Sequence, residues 1–370
     1  MKYYIIAGEA SGDLHGANLM NALYQEDPKA DIRFWGGDLM QAAGGTLVKH
    51  YKDLAFMGFI EVLFNLKTIL NNISIAKKDI LEFQPDVIVF IDYPGFNLRI
   101  AKWAKTLGIK THYYISPQIW AWKENRITDI KRDVDKMYVI LPFEKDFYEN
   151  KHHYPVDFVG HPLIDAIHNQ PQVDGAVFRK ENHLNDQPII AILPGSRKQE
   201  ITKMLSLMLS IVQDFPDYQF VIAGAPSQEF SFYEKFITNN NIKFISNKTY
   251  ALLQNATAAL VTSGTATLET ALFKVPEVVC YKGSWASYQI AKRIITLKYI
   301  SLVNLIMDQE VVAELIQDDC TTQRIKEELT KILEGDQRAK LLAQYDQLEQ
   351  KLGGIGASQK TAQLIVADLK

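Results

Sequence analysis

The run Ile189-Ile190-Ala191-Ile192-Leu193-Pro194-Gly195-Ser196-Arg197 constrains this chain more than any other stretch. Five apolar residues, mostly β-branched, read as a strand covered on both faces, which is the strand of a parallel sheet. Pro194-Gly195 breaks it, Ser196 stands where it would cap a following helix, and the spacing of Leu205, Leu209 and Val212 predicts that helix. Backbone N–H groups at the helix start and the permanently charged Arg197 then meet at one spot suited to an anion, with Glu200 one turn further on. An ordinary strand-to-helix turn with a surface arginine would look the same, so the stretch needs company.

It has company. Ala258 to Val261 reads as a strand running into Thr262-Ser263-Gly264-Thr265-Ala266-Thr267-Leu268-Glu269, a second hydroxyl- and glycine-rich helix start. Two such turns in one open sheet converge on one crevice. Further strands are expected at Gln219–Ala223, at Ile242–Ile245 and at Val275–Tyr281, where Pro276 suits an edge. A helical stretch is expected over Ala286–Leu297.

The first half repeats the pattern. Tyr3 to Ala7 is a strand, and Gly8-Glu9-Ala10-Ser11-Gly12-Asp13-Leu14-His15-Gly16 turns it into a helix. This is not the GxGxxG fingerprint, so no dinucleotide is expected, but Glu9, Ser11, Asp13 and His15 are candidate polar groups for a crevice. Ile32–Gly36 is a strand, and Gly44-Gly45 punctuates the loop after it. Pro85 to Ile91 is the clearest strand of this half and carries Asp92 at its carboxyl end, where α/β enzymes keep catalytic groups, before Tyr93-Pro94-Gly95 turns the chain into a helix from Asn97. Lys110–Ile115 leads to Ser116-Pro117-Gln118-Ile119-Trp120-Ala121-Trp122 and the basic Lys123 and Arg126. Two tryptophans there suit core packing, a lid or a sugar platform. Asp135–Leu141 and Phe158–Leu163, with His161, complete this half. The fold class is therefore α/β with two doubly wound domains and a crevice between them. The first covers residues 1–170, a polar connection 171–187, the second 188–345, and 346–370 holds helices that the glycines Gly353 to Gly356 would allow to return to the first domain.

At 370 residues the chain exceeds what one core usually serves, and a net charge of −3 argues against a nucleic-acid partner. Cys280 and Cys320 lack metal-ligand or disulfide-framework spacing, which fits a reducing cytoplasm. No run is long and apolar enough to span a bilayer, so any membrane contact is expected to be peripheral. Leu54 to Ile73 is nonetheless unusually apolar, with Phe56, Met57, Phe59, Leu63 and Leu66 spread around a helix rather than confined to one stripe. A helix buried between layers and a surface for acyl chains or a membrane both fit it.

Taken together, Gly8-Glu9-Ala10-Ser11-Gly12-Asp13, Ile91-Asp92-Tyr93-Pro94-Gly95-Phe96-Asn97, Ser116 to Trp122, Gly160-His161-Pro162-Leu163, Leu193 to Arg197 and Ser263 to Glu269 resemble the lipid-A-disaccharide synthase family, block by block and in order. The resemblance implies two Rossmann-like domains of the GT-B glycosyltransferase type. It implies transfer of 2,3-diacylglucosamine from its UDP conjugate to 2,3-diacylglucosamine 1-phosphate, forming a β-1',6 linkage with inversion, releasing UDP, and requiring neither cofactor nor metal. Asp92 would be the base. Gly195, Ser196, Arg197, Glu200, Gly264, Thr265, Ala266, Thr267, Glu269 and Asn304 would serve the donor. Glu9, Ser11, His15, Asn97 and His161 would line the acceptor side, and Phe56, Met57, Phe59, Leu63 and Leu66 would meet acyl chains at the inner face of the inner membrane. A homodimer is left open. Two departures stand out: Gly95 replaces a second Asp common in relatives, and Val303 replaces a Pro before Asn304. A UDP-sugar epimerase of the same architecture and an inactive nucleotide-sugar-binding module are the alternatives.

Overall fold

Each strand pairing in the computed structural model, which describes residues 1–54, 66–225, 228–283 and 298–370, is parallel. The apolar runs dictate this, because a strand buried on both faces needs helices above and below it. The chain divides into two units, Met1–His168 with Leu352–Lys370, and Asn169–Lys351.

The first unit contains β1 (Lys2–Ala7), β2 (Asp31–Gly36), β3 (Thr46–His50), β4 (Val87–Ile91), β5 (Lys110–Tyr114), β6 (Lys136–Val139) and β7 (Asp157–Phe158). Their order is β3-β2-β1-β4-β5-β6-β7. The second unit contains β8 (Ile189–Leu193), β9 (Gln219–Gly224), β10 (Ile242–Ser246), β11 (Ala258–Thr262), β12 (Glu277–Tyr281) and β13 (Ala313–Ile316), ordered β10-β9-β8-β11-β12-β13. In each sheet the winding reverses once, between β1 and β4 and between β8 and β11. The loops after those central strands part there, and that is where an open α/β sheet takes its ligand. Central strands β4, β8 and β11 are buried throughout. Each fully buried Val, Ile or Phe there contributes about 1.5–3 kcal/mol.

Several expectations need correction. Thr46–His50, in the loop expected after Gly44-Gly45, is the edge strand β3, and Ala313–Ile316, where no strand was expected, is the edge strand β13. Pro276 does not mark an edge: β12 lies between β11 and β13, and the proline precedes it, where its carbonyl accepts from Ala259 N–H at 2.8 Å. The helix after β8 begins at Lys198 with Arg197 in the capping position, one residue later than Ser196, and ends at Met208 before a 3-10 turn over Leu209–Asp214. The connection expected at 171–187 contains a helix, Gly175–Glu181, capped by Asp174 and burying Phe178 in the second unit. The helix Gly335–Lys351 crosses the boundary expected at 345 and 346.

The last helix, Ala357–Leu369, belongs to the first unit, where it packs on the helix Ala10–Glu26. Asp165 caps its start, accepting from Gly356 N–H at 2.6 Å and Ser358 N–H at 2.9 Å, and Lys110 Nζ holds its end through Asp368 at 2.9 Å. Of the apolar stretch, Phe56, Met57, Phe59 and Leu63 lie outside the described residues, as does the helix expected over 286–297; Leu66 opens the helix Leu66–Phe83. No helix among the described residues is long and apolar enough to cross a membrane.

Candidate functional site

In the second unit, the loops after β8, β9 and β11 enclose a cavity of about 250 Å³ at the switch point of the sheet. Gly195, Ser196 and Glu200 line one side; Gly264, Thr265, Ala266 and Glu269 line another. Gly195 has φ +98, a conformation that favours glycine, and a Cβ there would stand 3.1 Å from the Glu200 carboxylate and crowd it. Gly264 has φ +155 with no atom within 4 Å of where a Cβ would be, so its backbone is open to the cavity. Two helices, Lys198–Met208 and Thr265–Leu272, begin at this cavity, each bringing unpaired N–H groups and the positive end of its dipole. Arg197 stands beside it with an exposed side chain, 3.4 Å from Glu200 Oε1, while Glu200 Oε2 accepts from Arg197 N–H at 3.4 Å. Glu269 accepts from the Tyr250 hydroxyl at 2.8 Å, and burial pushes its pKa up while that hydroxyl opposes the rise.

In the first unit, Asp92 follows β4 at the corresponding switch point. Asp92 and Tyr93 are both left-handed, with φ of 43° and 49°. Non-glycine residues seldom adopt that conformation, at a cost of about 1–2 kcal/mol each. The turn is held from below: Asn97 Nδ2 and the Tyr113 hydroxyl donate to the Asp92 carbonyl at 2.7 and 2.5 Å, and Asp92 N–H donates to Tyr114 O at 3.2 Å. The Tyr93 ring lies so close to Gly8 that a Cβ there would be 2.4 Å from it. Burial, then the negative charge of Glu9 and, more weakly, of Glu144, push the Asp92 carboxyl up to about 6, against a bond from Tyr93 N–H. Such a group is ionised at neutral pH yet basic enough to take a proton.

Comparison with known proteins decides the family. The family described as lipid-A-disaccharide synthetase matches residues 3–367. The chain belongs to the lipid-A-disaccharide synthase family.

A lipid-A-disaccharide synthase of Idiomarina loihiensis is 39% identical over 375 residues, covering 98% of this chain and 97% of its own, and one of Coxiella burnetii is 39% identical over 367 residues, covering 98% and 96%. The chain therefore has lipid-A-disaccharide synthase activity, a glycosyltransfer in lipid A biosynthesis, and the substrates of such a synthase are a UDP-sugar and a lipid. Solved structures show the same fold of GT-B type at low identity. A MnaA–UDP co-structure from S. aureus has a TM-score of 0.71 at 14% identity, covering 100% of this chain and 97% of that one. A UDP-GlcNAc 2-epimerase from Neisseria meningitidis bound to UDP-GlcNAc has 0.67 at 14%, covering 100% and 99%.

Not every residue singled out from the synthase sequence lines its cavity or its Asp92 turn. Thr267 is buried and donates to Gly264 O at 2.9 Å, shaping the turn rather than facing the cavity. Asn304 is fully buried: its amide donates to Val312 O and Glu314 Oε1 at 2.9 Å each, and its oxygen accepts from Val311 and Val312 N–H at 2.7 and 3.0 Å. It pins the loop before β13 instead of lining the cavity. Asn97 is likewise buried beneath Asp92. Glu9 and Ser11 are exposed at the start of the helix Ala10–Glu26, Glu9 at its N-cap. His15, half-buried, and His161, buried, lie near Asp165, which caps the last helix; desolvation lowers their pKa values to about 4 and about 3, with Asp165 opposing the shift at His15 and His15 adding to that at His161. Asp13 caps another helix, accepting from Gly37, Leu39 and Met40 N–H at 2.7, 3.1 and 3.0 Å.

Sequence reasoning missed the contribution of the end of β9, where Ala223, Gly224 and the following Ala225 line the cavity, and that of Thr249 and Tyr250. Gly224 after an apolar run was the available signal. A Cβ there would be 2.4 Å from the Phe244 ring.

Proposed function

We propose that the synthase transfers 2,3-diacylglucosamine from its UDP conjugate to the 6-hydroxyl of 2,3-diacylglucosamine 1-phosphate, with inversion, giving the β-1',6 disaccharide 1-phosphate and UDP. The carrying observation is the Asp92 carboxylate on its strained turn, with its pKa raised to about 6. It takes the hydroxyl proton as the oxygen attacks the anomeric carbon, a step to which a positioned base contributes about 10²–10⁴-fold. Charge building on the departing diphosphate falls on Arg197 and on the N–H groups at Gly195 and Gly264, so no metal ion or cofactor is assigned. Glu269, held by Tyr250, serves the donor ribose. Inversion follows from a single displacement, because Asp92 acts on the acceptor and not on the sugar.

A peripheral attachment to the inner face of the inner membrane completes the reading. The helix Leu66–Phe83 leaves Leu70, Ile75 and Leu81 exposed, which suits a surface serving acyl chains. A homodimer is compatible with this chemistry, which requires no second copy.

The test is UDP release from UDP-2,3-diacylglucosamine in mixed micelles, with and without the 1-phosphate acceptor. Release that depends on acceptor and yields a disaccharide 1-phosphate bears the reading out. Conversion of the sugar while still attached to UDP would favour the epimerase alternative.

A further inference from the structure

The segment Trp122–Arg126, beyond the carboxyl end of β5, carries positive charge that the described residues leave unbalanced. Glu124 is already held by Lys151 Nζ at 2.7 Å and His152 Nε2 at 3.0 Å. Among the described residues Lys123 and Arg126 make no ion pair. Lys123 Nζ instead lies 4.2 Å from the ring centroid of Trp122, a tryptophan left 50% exposed. Burial and the neighbouring Arg126 charge push the Lys123 pKa down, as happens when cations crowd without a counter-ion. Arg126 also acts on the Tyr113 hydroxyl, the group that donates to the Asp92 carbonyl. Arg126 therefore stands on the side of the sheet where Tyr113 meets the Asp92 turn, with Lys123 three residues before it, and neither has a bond to the Asp92 carboxylate.

The segment is firmly mounted. Glu144, 1% exposed, accepts from Ser116 Oγ at 2.6 Å, Trp120 Nε1 at 3.1 Å, Ile140 N–H at 3.1 Å and Leu141 N–H at 2.9 Å. Three of these groups can only donate, so both carboxylate oxygens are engaged as acceptors. Tyr148 adds a bond to Pro117 O at 3.4 Å. Cations carried by such a support need little ordering when an anion arrives.

We propose that Lys123 and Arg126, beside the half-exposed Trp122, form the subsite for the acceptor's 1-phosphate. The inference rests on the reaction proposed above. A sugar 1-phosphate carries its anion on C1 and its 6-hydroxyl on the arm of C5, the two carbons flanking the ring oxygen, so cations near the Asp92 turn but out of contact with its carboxylate can hold one while the base takes the other. Arginine grips a phosphate through a planar fork and lysine as a point charge, and the tryptophan face suits the sugar ring.

The experiment compares Lys123→Gln and Arg126→Gln with wild type and with Lys131→Gln as a charge-matched control, varying acceptor and donor separately in mixed micelles. Loss of one charged contact raises the acceptor KM by roughly tenfold or more, leaves the donor KM unchanged, and is absent in the control. With 2,3-diacylglucosamine lacking the phosphate, wild type and variants become equal. An unchanged acceptor KM, or an equal loss with the dephosphorylated acceptor, overturns the proposal, as does weakened binding to phosphatidylglycerol vesicles with acceptor KM intact, which would assign the cations to lipid headgroups. Calorimetric binding of glucosamine 1-phosphate reads the subsite without turnover. Wild-type binding lost in both variants supports it even where the transfer reading fails, and binding unaltered in both contradicts it.

Discussion

Asn97 Nδ2 donates to the main-chain carbonyl of Asp92 at 2.7 Å, and this bond holds the proposed base on a turn of two consecutive left-handed residues. Asn97 contacts no atom that reacts, yet it sets where the Asp92 carboxylate points. Asn97→Leu keeps the volume and removes the donor, leaving the Tyr113 hydroxyl to hold that carbonyl. Urea denaturation of the first unit should show a loss of roughly 1–3 kcal/mol, and kcat should fall while UDP affinity holds. Unchanged kcat would show that the turn needs no such support.

The Asp92 pKa fixes two signs. With Asp92 as the proposed base, kcat/KM should rise with pH along a limb centred near 6. Stability moves the other way. With the folded pKa above the unfolded value of 3.8, the folded state binds more protons between about 4 and 6, so this group's contribution declines as pH rises through that window. Asp92→Asn should therefore stabilise the protein at pH 8 by roughly 1–3 kcal/mol and have little effect near pH 3.5. Thermal melts of both proteins at the two pH values check this; a variant less stable than wild type at pH 8 contradicts it.

Buried histidines give the opposite dependence. His15, His112 and His161 have folded pKa values of about 4, 4 and 3, below the unfolded value of 6.5. The unfolded chain binds more protons between those limits, so stability is lost as pH falls from 7 toward 4. At pH 5 each neutral buried histidine costs roughly 2 kcal/mol. His161 Nδ1 accepts from Leu163 N–H at 3.2 Å, a bond that an asparagine oxygen can replace. His161→Asn should narrow the drop in Tm between pH 7.5 and 5, and an identical drop would remove His161 from the acid response.

In the proposed reaction Arg197 serves the donor alone. Arg197→Ala should weaken UDP binding by roughly tenfold or more, read by calorimetry, and Arg197→Lys should recover part of it. Its side chain is 74% exposed and its ion pair with Glu200 is at the surface, so folding stability should change by less than about 0.5 kcal/mol. Unaltered UDP affinity would place the diphosphate elsewhere.

The central strands were legible because parallel strands are apolar throughout: Ile189–Leu193 and Val87–Ile91 announce themselves. Thr46–His50 did not, since an edge strand with every residue at least partly exposed has no such run, and Ala313–Ile316 fully buries only Leu315. Glycines at the strand ends located the donor cavity, because Gly195 and Gly264 answer to local backbone geometry. Asn97, Asn304 and Thr267 were misplaced for a physical reason: a polar side chain bound to main chain in the interior has the same sequence signature as one facing a ligand. Asp13 shows the limit most clearly, capping a helix that begins 25 residues later through contacts that only the tertiary fold creates.

The account turns on Asp92, and the most direct measurement is the turnover of Asp92→Asn beside its affinity for UDP. The substitution keeps size and the bond from Tyr93 N–H while removing the base. The account predicts a fall in kcat of roughly 10²-fold or more with UDP affinity unchanged. Turnover within a few-fold of wild type would contradict it and move the base to another group.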